Sequence, residues 1–188
     1  VSIVLIAIVG TINIANYIST NQALDARLSL IADNGGTFPD MTPGDFGKKL
    51  EPKSDQPPAM NDLQKHGISQ ESPFDTRYFT VTIAPDGTVE YVDTGKIASI
   101  SAGTAEEYAA ELWKKGKKKG FLADYKYLAA DSDGSTMYVF LNCQREISTI
   151  RTYVLASVGT GALGLVIVFV MIYFFSGKEL TPVSESYE

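Results

Sequence analysis

The chain has 188 residues, of which 45% are hydrophobic, and its formal net charge is −6. This negative charge argues against nucleic acid as a partner, because nucleic-acid-binding domains carry a basic surface. The single cysteine, Cys143, excludes an internal disulfide, and the single histidine, His66, excludes a zinc site with two or more histidine ligands.

The first 18 residues, VSIVLIAIVGTINIANYI, carry no charge. They predict a transmembrane helix over residues 1–18, and we expect its true start to lie upstream, because a full span needs about 20 residues. A cleaved signal peptide is the alternative, but Ala7 to Gly10 would make a poor cleavage site. Apolar positions continue at helical spacing to Ile31, which predicts a stalk helix over residues 19–34 that ends at Asn34-Gly35-Gly36.

Residues 35–73 contain six of the eight prolines and show little periodicity. This composition predicts a long loop that is partly disordered. Such a loop could close over a ligand, but a variable connector is the simpler interpretation. His66 lies within it, and we expect its imidazole to be solvated.

Order returns in residues 74–143, which predict an α+β domain of order ββαββ. Strands are predicted at RYFTVTI, which begins at Arg77, and at TVEYV, and a turn at Ala84-Pro85-Asp86-Gly87 joins them. A capping box, Thr104-Ala-Glu-Glu107, predicts the start of a helix that ends at Gly116. Two further strands are predicted at Phe121–Ala130 and Ser135–Cys143.

The fold class predicted from this order is α+β, with a four-stranded antiparallel sheet backed by helices. It has the shape of a small PAS-like sensor domain, placed between two transmembrane helices. The predicted helix of this domain carries its apolar residues on one face, so we expect that face to pack on the sheet. The residues of this face are Ala105, Tyr108, Ala109, Leu112 and Trp113.

Polar side chains near one edge of this domain are candidates for the lining of a ligand pocket. They are Asp93, Lys96, Asp124, Tyr125 and Tyr127. Their position is the only basis for this choice, because a PAS-like module often has its ligand cavity next to the segment between hairpin and helix. Asp131 and Asp133 offer too few oxygens for calcium and are read as turn residues.

The run KKGKKKG, Lys114 to Gly120, is the only dense basic cluster. A helix end followed by a solvated turn is the simpler interpretation, because lysine complements the helix dipole at that end. Contact with anionic lipid or with an acidic polymer at the cell surface is the alternative.

After Cys143 no helix breaker occurs, which predicts a stalk helix over residues 144–152 that continues into a second transmembrane helix over residues 153–175. The span reads YVLASVGTGALGLVIVFVMIYFF and carries no charge. It contains the match GTGALG to a dinucleotide-binding loop, but such a loop follows a strand and reaches water, so the membrane interpretation is preferred.

Small residues at a spacing of four within this span allow two helices to approach closely. Ser157 and Gly161 form one such pair, and Thr160 and Gly164 form another. We predict a dimer seam between two copies of the helix at Ser157, Gly161 and Gly164. The alternative is that glycine is simply common in membrane helices.

Three stretches resemble the sensor region of membrane histidine kinases of two-component systems, especially those of clostridia and other low-GC Gram-positive bacteria. They are SPFDTRYFTVTIAPDGTVEYVDTGKIASIS, KKGFLADYKYL and YVFLNCQREISTIRTYVLAS. The similarity extends from about Ser72 to Glu188, and residues 176–188 resemble the start of a cytoplasmic linker. The resemblance rests on short stretches of similar sequence and not on a catalytic motif. No phosphoacceptor histidine and no conserved kinase motif lies in this chain.

The resemblance implies a bacterial cell-membrane protein. From the two-span architecture we expect residues 19–152 to lie outside the cytoplasm and the C-terminal tail inside it. The resemblance also implies a homodimer, an unknown extracytoplasmic ligand, a response regulator as partner, and a kinase domain that uses ATP and Mg²⁺. The chain begins at Val1 and stops at Glu188, and we expect it to be a fragment of such a parent.

We predict no catalytic residue and no metal or cofactor site in this chain, since no nucleophile–base pair or metal-ligand constellation is evident. Two alternatives keep the two-span architecture but change its role. One is a receptor with a different output, such as a chemoreceptor or a cyclic-dinucleotide enzyme. The other is a surface protein that binds cell-wall or secreted components without signalling.

Overall fold

The computed structural model describes residues 2–39, 68–69 and 71–178. Most of the predicted loop over residues 35–73, including His66, and the tail from residue 179 onward lie outside the described residues. The chain divides into two compact units, of which one comprises Val1–Tyr17 with Ser148–Glu188 and the other Ile18–Ile147.

The described secondary structure consists of four helices and five strands. In chain order the elements are α1 (Ser2–Asp33), α2 (Ser72–Asp75), β1 (Tyr78–Ile83), β2 (Val89–Asp93), α3 (Ala102–Lys114), β3 (Lys119–Leu122), β4 (Tyr125–Ser132), β5 (Ser135–Asn142) and α4 (Gln144–Lys178).

The strands form one antiparallel sheet with the order β2-β1-β5-β4-β3. The prediction of four strands was therefore wrong by one. The predicted strand Phe121–Ala130 is in fact a hairpin, because the chain reverses at Ala123 and Asp124 between β3 and β4. Ala123 adopts a positive φ of 50° there, a conformation that usually requires glycine or asparagine.

The start of α3 also differs from the prediction. The helix begins at Ala102, and the residue that caps it is Ser101, whose Oγ accepts a hydrogen bond of 3.2 Å from the backbone N–H of Thr104. The predicted capping box at Thr104 was therefore placed three residues too late. Ser101 satisfies one of the amide groups left free at the helix start, as an N-cap residue does.

Helix α3 ends in a Schellman turn. Gly116 has a positive φ of 61°, and the backbone N–H groups of Gly116 and Lys117 donate to the carbonyls of Trp113 and Leu112, both at 3.0 Å. These bonds satisfy carbonyl groups that the helix leaves free. The predicted end at Gly116 is confirmed.

Within the unit Ile18–Ile147, each face of the sheet is covered by a helix. The part of α1 from Ile18 onward covers one face, where Leu24, Leu28 and Ile31 are buried. Helix α3 covers the other face through Ala105, Ala109 and Leu112. The alternation of side chains along each strand explains this division, because neighbouring residues of a strand point to opposite faces.

Strand β5 shows the division most clearly, because it lies in the middle of the sheet and both of its faces are buried. Met137, Val139 and Leu141 pack toward α1. Tyr138 and Phe140 pack toward α3.

In the unit Val1–Tyr17 with Ser148–Glu188, the described residues are helical throughout. Helices α1 and α4 are long and apolar enough to cross a membrane, judged by length and composition, over Ile3–Asp33 and Gln144–Ser176. Residues 2–18 of the first predicted span and the whole of the second, residues 153–175, fall within these two helices. Most of the large apolar side chains within these two predicted spans are exposed, as a lipid-facing surface requires.

Candidate functional site

The five residues predicted to line a ligand pocket have different surroundings. Tyr125 and Tyr127 are 7% and 4% exposed and belong to the core beneath α3. Asp93 ends β2, where its Oδ1 accepts a hydrogen bond of 2.8 Å from the backbone N–H of Gly95, so its carboxylate shapes a turn. Lys96 and Asp124 are exposed.

A polar contact joins the segment that follows Asp93 to one of the buried tyrosines. The hydroxyl groups of Ser99 and Tyr125 lie 3.4 Å apart. A stack of aromatic rings fills the space behind Tyr125. Phe79 stacks on Phe140 with ring centroids 4.5 Å apart and meets Tyr125 edge-on at 5.1 Å. The pocket at these five positions therefore stays a prediction, and its two tyrosines serve the aromatic core.

A buried charged cluster on the opposite face of the sheet was not foreseen from the sequence. Lys126 lies on β4, and its side chain is 2% exposed. Its Nζ lies 2.7 Å from Oδ1 of Asp25 and donates hydrogen bonds to the carbonyl and the Oδ1 of Asn21, at 3.0 and 2.7 Å. Lys119, on β3, reaches the same carboxylate at 2.9 Å. We call Lys126, Lys119, Asp25 and Asn21 the Lys126 cluster.

The Lys126 cluster satisfies the main conditions for a buried ammonium group. A lysine is almost never fully buried unless it is paired. Lys126 has one charged and two neutral oxygen partners, and the ring of Phe121 lies 5.3 Å from its Nζ, within the range of a cation–π contact. These side-chain partners come from α1 and from the edge hairpin, so the cluster joins the first helix to the sheet.

Asp25 is held in its charged form by this arrangement. Burial raises the pKa of its carboxyl group, but the hydrogen bonds and charges of Lys126 and Lys119 outweigh burial and bring the pKa below its ordinary value. Asp25 and Asn21 are four residues apart and so lie on one stripe of α1. The spacing of Asn21 and Asp25, together with the alternation Tyr-Lys-Tyr-Leu of β4, was the sequence signal that could have predicted this cluster.

A second polar link joins α1 to the first turn of α4. Nη1 of Arg27 lies 3.6 Å from Oε1 of Glu146, and both side chains are about one quarter exposed, at 25% and 28%. Only Cys143 separates β5 from α4. The last strand of the sheet therefore passes into the helix without a flexible linker.

Cys143 is fully buried at this connection. Its Sγ donates a hydrogen bond of 3.2 Å to the carbonyl of Asp124, which also accepts a bond of 2.9 Å from the backbone N–H of Cys143. Burial, with a smaller contribution from the charge of Glu146, raises the pKa of the thiol to about 11. The thiol is therefore protonated at neutral pH and fixes the β3–β4 turn to the start of α4.

The predicted dimer-seam residues line a groove in the unit that contains the two apolar helices. The groove has a volume of about 720 Å³, and Ser157, Gly161 and Gly164 form part of its wall. Nδ2 of Asn13, on α1, donates a hydrogen bond of 2.8 Å to Oγ of Ser157. These small residues therefore face α1 of the same chain, and a seam between two copies stays a prediction.

Among the described residues, no group of three or more histidine, cysteine, aspartate or glutamate side chains could hold a metal ion. His66 lies outside the described residues. No protein-family model, curated protein or solved structure matches this chain.

Proposed function

We propose that this chain is the sensing and membrane-anchoring region of a bacterial receptor, and specifically of a sensor histidine kinase of the two-component type. One observation carries the proposal. Each of the two helices that could span a membrane is also built into the α+β domain, α1 by covering one face of the sheet and α4 by following β5 after Cys143 alone.

These direct connections between the sheet and the helices suit a receptor, because no flexible linker separates the domain that meets a stimulus from the helices that transmit it. A stimulus that binds two arrangements of the domain with different affinity shifts the balance between them. A change at the sheet reaches α4 through β5, and a change in the packing of α1 passes through the Lys126 cluster. In this proposal the domain is PAS-like and lies outside the cytoplasm, and the helices of a homodimer carry a small shift or rotation inward.

In the longer parent that we propose, a cytoplasmic kinase domain would bind ATP and Mg²⁺, and a response regulator would receive the phosphoryl group. The short stretches of sequence that resemble sensor kinases favour a histidine kinase as the cytoplasmic domain. The residues described here contribute sensing, anchoring and transmission to that activity.

The orientation can be tested first. Alkaline phosphatase, which folds only outside the cytoplasm, and a green fluorescent protein that fluoresces only inside it would each be fused after Gly134 and after Glu188. We expect phosphatase activity at Gly134 alone and fluorescence at Glu188 alone. The reverse pattern, or cytoplasmic signals at both positions, would overturn the proposed topology.

The output can be tested on the full product of the parent gene, reconstituted in liposomes with γ-labelled ATP. We expect a label on the protein that is lost in acid and stable in base, as phosphohistidine is, and that moves to a response regulator. A substitution of the acceptor histidine in the parent is the control. If no such label forms and the parent holds another output domain, a different receptor is indicated. A parent with no domain after this chain would leave a surface-binding protein.

A further inference from the structure

Two buried tyrosine hydroxyl groups, on the face of the sheet that α3 covers, have no hydrogen-bond partner among the residues that the structure describes. They belong to Tyr127 on β4, which is 4% exposed, and to Tyr138 on β5, which is 2% exposed. The hydroxyl group of a buried tyrosine usually finds a partner. Tyr78 follows this rule on the other face of the sheet, where its hydroxyl group accepts a hydrogen bond of 3.0 Å from the backbone N–H of Phe38.

The phenol groups of Tyr127 and Tyr138 lie close to each other. Tyr127 is opposite Phe140 in the sheet, so Tyr138 is its diagonal neighbour on the same face, at a separation of roughly 7–8 Å between the strands. The ring centroids of the two tyrosines lie 6.0 and 6.2 Å from that of Phe140. Burial raises the pKa of Tyr138, and the phenol group of Tyr127 raises it further. Tyr138 therefore keeps its proton at neutral pH and is a hydrogen-bond donor.

The hydroxyl group of Tyr127 reaches the margin of the sheet because the residue beside it is a glycine. Gly120 lies on the edge strand β3, directly opposite Tyr127. A Cβ at Gly120 would lie 2.9 Å from the hydroxyl oxygen of Tyr127 and 3.2 Å from its ring carbon Cζ. The ring therefore lies across β3 with its polar end at the edge of the sheet, where a molecule from solvent can meet it.

Lys118 brings a positive charge to the same margin. Its backbone carbonyl accepts a hydrogen bond of 2.7 Å from the N–H of Ala129, which extends the pairing of β3 with β4 by one residue. Lys119 contacts Asp25 on the face that α1 covers. Because neighbouring residues of an extended chain lie on opposite faces, Lys118 lies on the face of Gly120.

The surroundings of this margin are basic, although the whole chain has a net charge of −6. Five exposed lysines lie within residues 114–119. Among the described residues, no ion pair is made by Lys114, Lys117 or Lys118. Asp131, which is exposed on the same face of β4 as Ala129, is the opposing charge. The local excess of positive charge favours an anion.

We propose that Tyr127, Tyr138 and Lys118 bind a phosphate group at the β3 margin, either as inorganic phosphate or as the phosphomonoester of a larger molecule. The two phenols then donate the hydrogen bonds that the described protein does not take up, and the ammonium group supplies the charge. A phosphate group carries nearly two negative charges at neutral pH, which suits a site with several unpaired lysines. The role of this ligand as a stimulus rests on the proposed function, whereas its binding can be measured without any output.

Binding is tested by calorimetric titration of the full chain in detergent micelles with inorganic phosphate at constant ionic strength. Tyr127→Phe and Tyr138→Phe are each expected to weaken binding about tenfold, because each removes a hydrogen bond to a charged group. Lys118→Gln should weaken it about two- to fivefold. Asp131→Asn should strengthen it, because a like charge is removed. The absence of saturable phosphate binding to the wild type would overturn the inference.

Thermal unfolding in phosphate-free buffer separates binding from a structural role of the hydroxyl groups. Tyr127→Phe and Tyr138→Phe should leave the midpoint unchanged, since neither hydroxyl group is bonded within the described protein. Tyr78→Phe is the matched control, because it removes the bond to Phe38 and should lower the midpoint while leaving phosphate affinity unchanged. A lower midpoint for the first two variants, with unchanged phosphate affinity, would show that their hydroxyl groups bind ordered water in the fold and would overturn the inference.

A titration with glycerol 3-phosphate distinguishes the two sources of the phosphate group. Tighter binding than that of inorganic phosphate supports a phosphomonoester, and weaker binding supports the free ion. Binding of acetate without binding of phosphate would identify a carboxylate ligand and contradict the proposal. A parent protein that binds phosphate but forms no phosphohistidine contradicts only the proposed function, and one that forms phosphohistidine but binds no phosphate contradicts only this inference.

Discussion

Nζ of Lys126 on the sheet lies 2.7 Å from Oδ1 of Asp25 on α1, in an interface that is otherwise largely apolar. Apolar contacts alone give a helix little reason to prefer one register, because Leu24 and Leu28 are one turn apart and could exchange places. A buried ion pair distinguishes the registers, since a shifted helix would leave the ammonium group without its carboxylate. We infer that this pair fixes α1 on the sheet.

The two halves of this ion pair should differ in importance. Asp25→Asn leaves Lys126 buried with neutral partners only, so we expect a loss of about 3–5 kcal/mol in the free energy of unfolding. Lys126→Met should cost less, because Asp25 keeps Lys119 as a partner and its side chain is 27% exposed. The measurement is urea unfolding of the full chain in detergent micelles, followed by the fluorescence of Trp113.

Glu111→Gln is the control for these variants, because it breaks an exposed ion pair with Lys115. Its cost should stay below about 1 kcal/mol. A greater loss for Lys126→Met than for Asp25→Asn would show that Lys126 acts mainly through its packing and not through its charge.

The buried thiol of Cys143 should make the protein sensitive to alkaline pH. Its pKa is raised from 9.0 to about 11, so the folded state holds the proton more tightly than the unfolded state. The stability that results is fully present below pH 9 and is lost as the pH rises through 11. Compared with Cys143→Ala, the wild type should lose about 2 kcal/mol between these pH values.

Thiol reactivity gives an independent measurement of the same property. At pH 8 the native protein should react with a maleimide only slowly, and the urea-unfolded protein should react rapidly, because the thiolate is the reactive form. Rapid labelling of the native protein would contradict both the burial and the raised pKa of Cys143.

The sequence predicted the elements whose pattern is local, and it failed where the pattern depends on distant residues. Strands β1 and β5 alternate clearly, and α3 has one apolar face, so each was found within a few residues of its bounds. The β3–β4 turn was missed because Ala123 takes a positive φ without the glycine that usually marks such a turn. The burial of Lys126 was not predicted, because its partner Asn21 lies 105 positions earlier in the chain.

Two glycines with nearly the same φ should respond differently to a methyl group. Gly87 and Gly134 have φ of 89° and 90°, so alanine is strained at both. A Cβ at Gly87 would lie 2.8 Å from the ring of Trp113, whereas one at Gly134 would meet no atom within 4 Å.

We therefore expect Gly134→Ala to cost about 1–2 kcal/mol from the backbone alone. Gly87→Ala should cost about 1–3 kcal/mol more, because the indole must move in a packed core. The measurement is thermal unfolding, with the emission maximum of Trp113 as a second signal that only Gly87→Ala should shift. Equal losses of stability in the two variants, with an unchanged emission maximum, would show that the indole ring of Trp113 moves aside at no cost.

The small face of α4 allows the predicted dimer seam to be tested against the intrachain groove. Ser157 is already bonded to Asn13 of the same chain, but a Cβ at Gly161 would meet no atom within 4 Å, so this position is open to a second helix. In a Cys143→Ala background, we expect Gly161→Cys to give disulfide-linked dimers on mild oxidation in liposomes. Leu163→Cys is the control, because Leu163 lies two positions away, is 61% exposed and does not line the groove. Equal dimer yields from the two variants would indicate random collision, and a Gly161→Cys chain that stays monomeric would restrict the small residues to packing against α1.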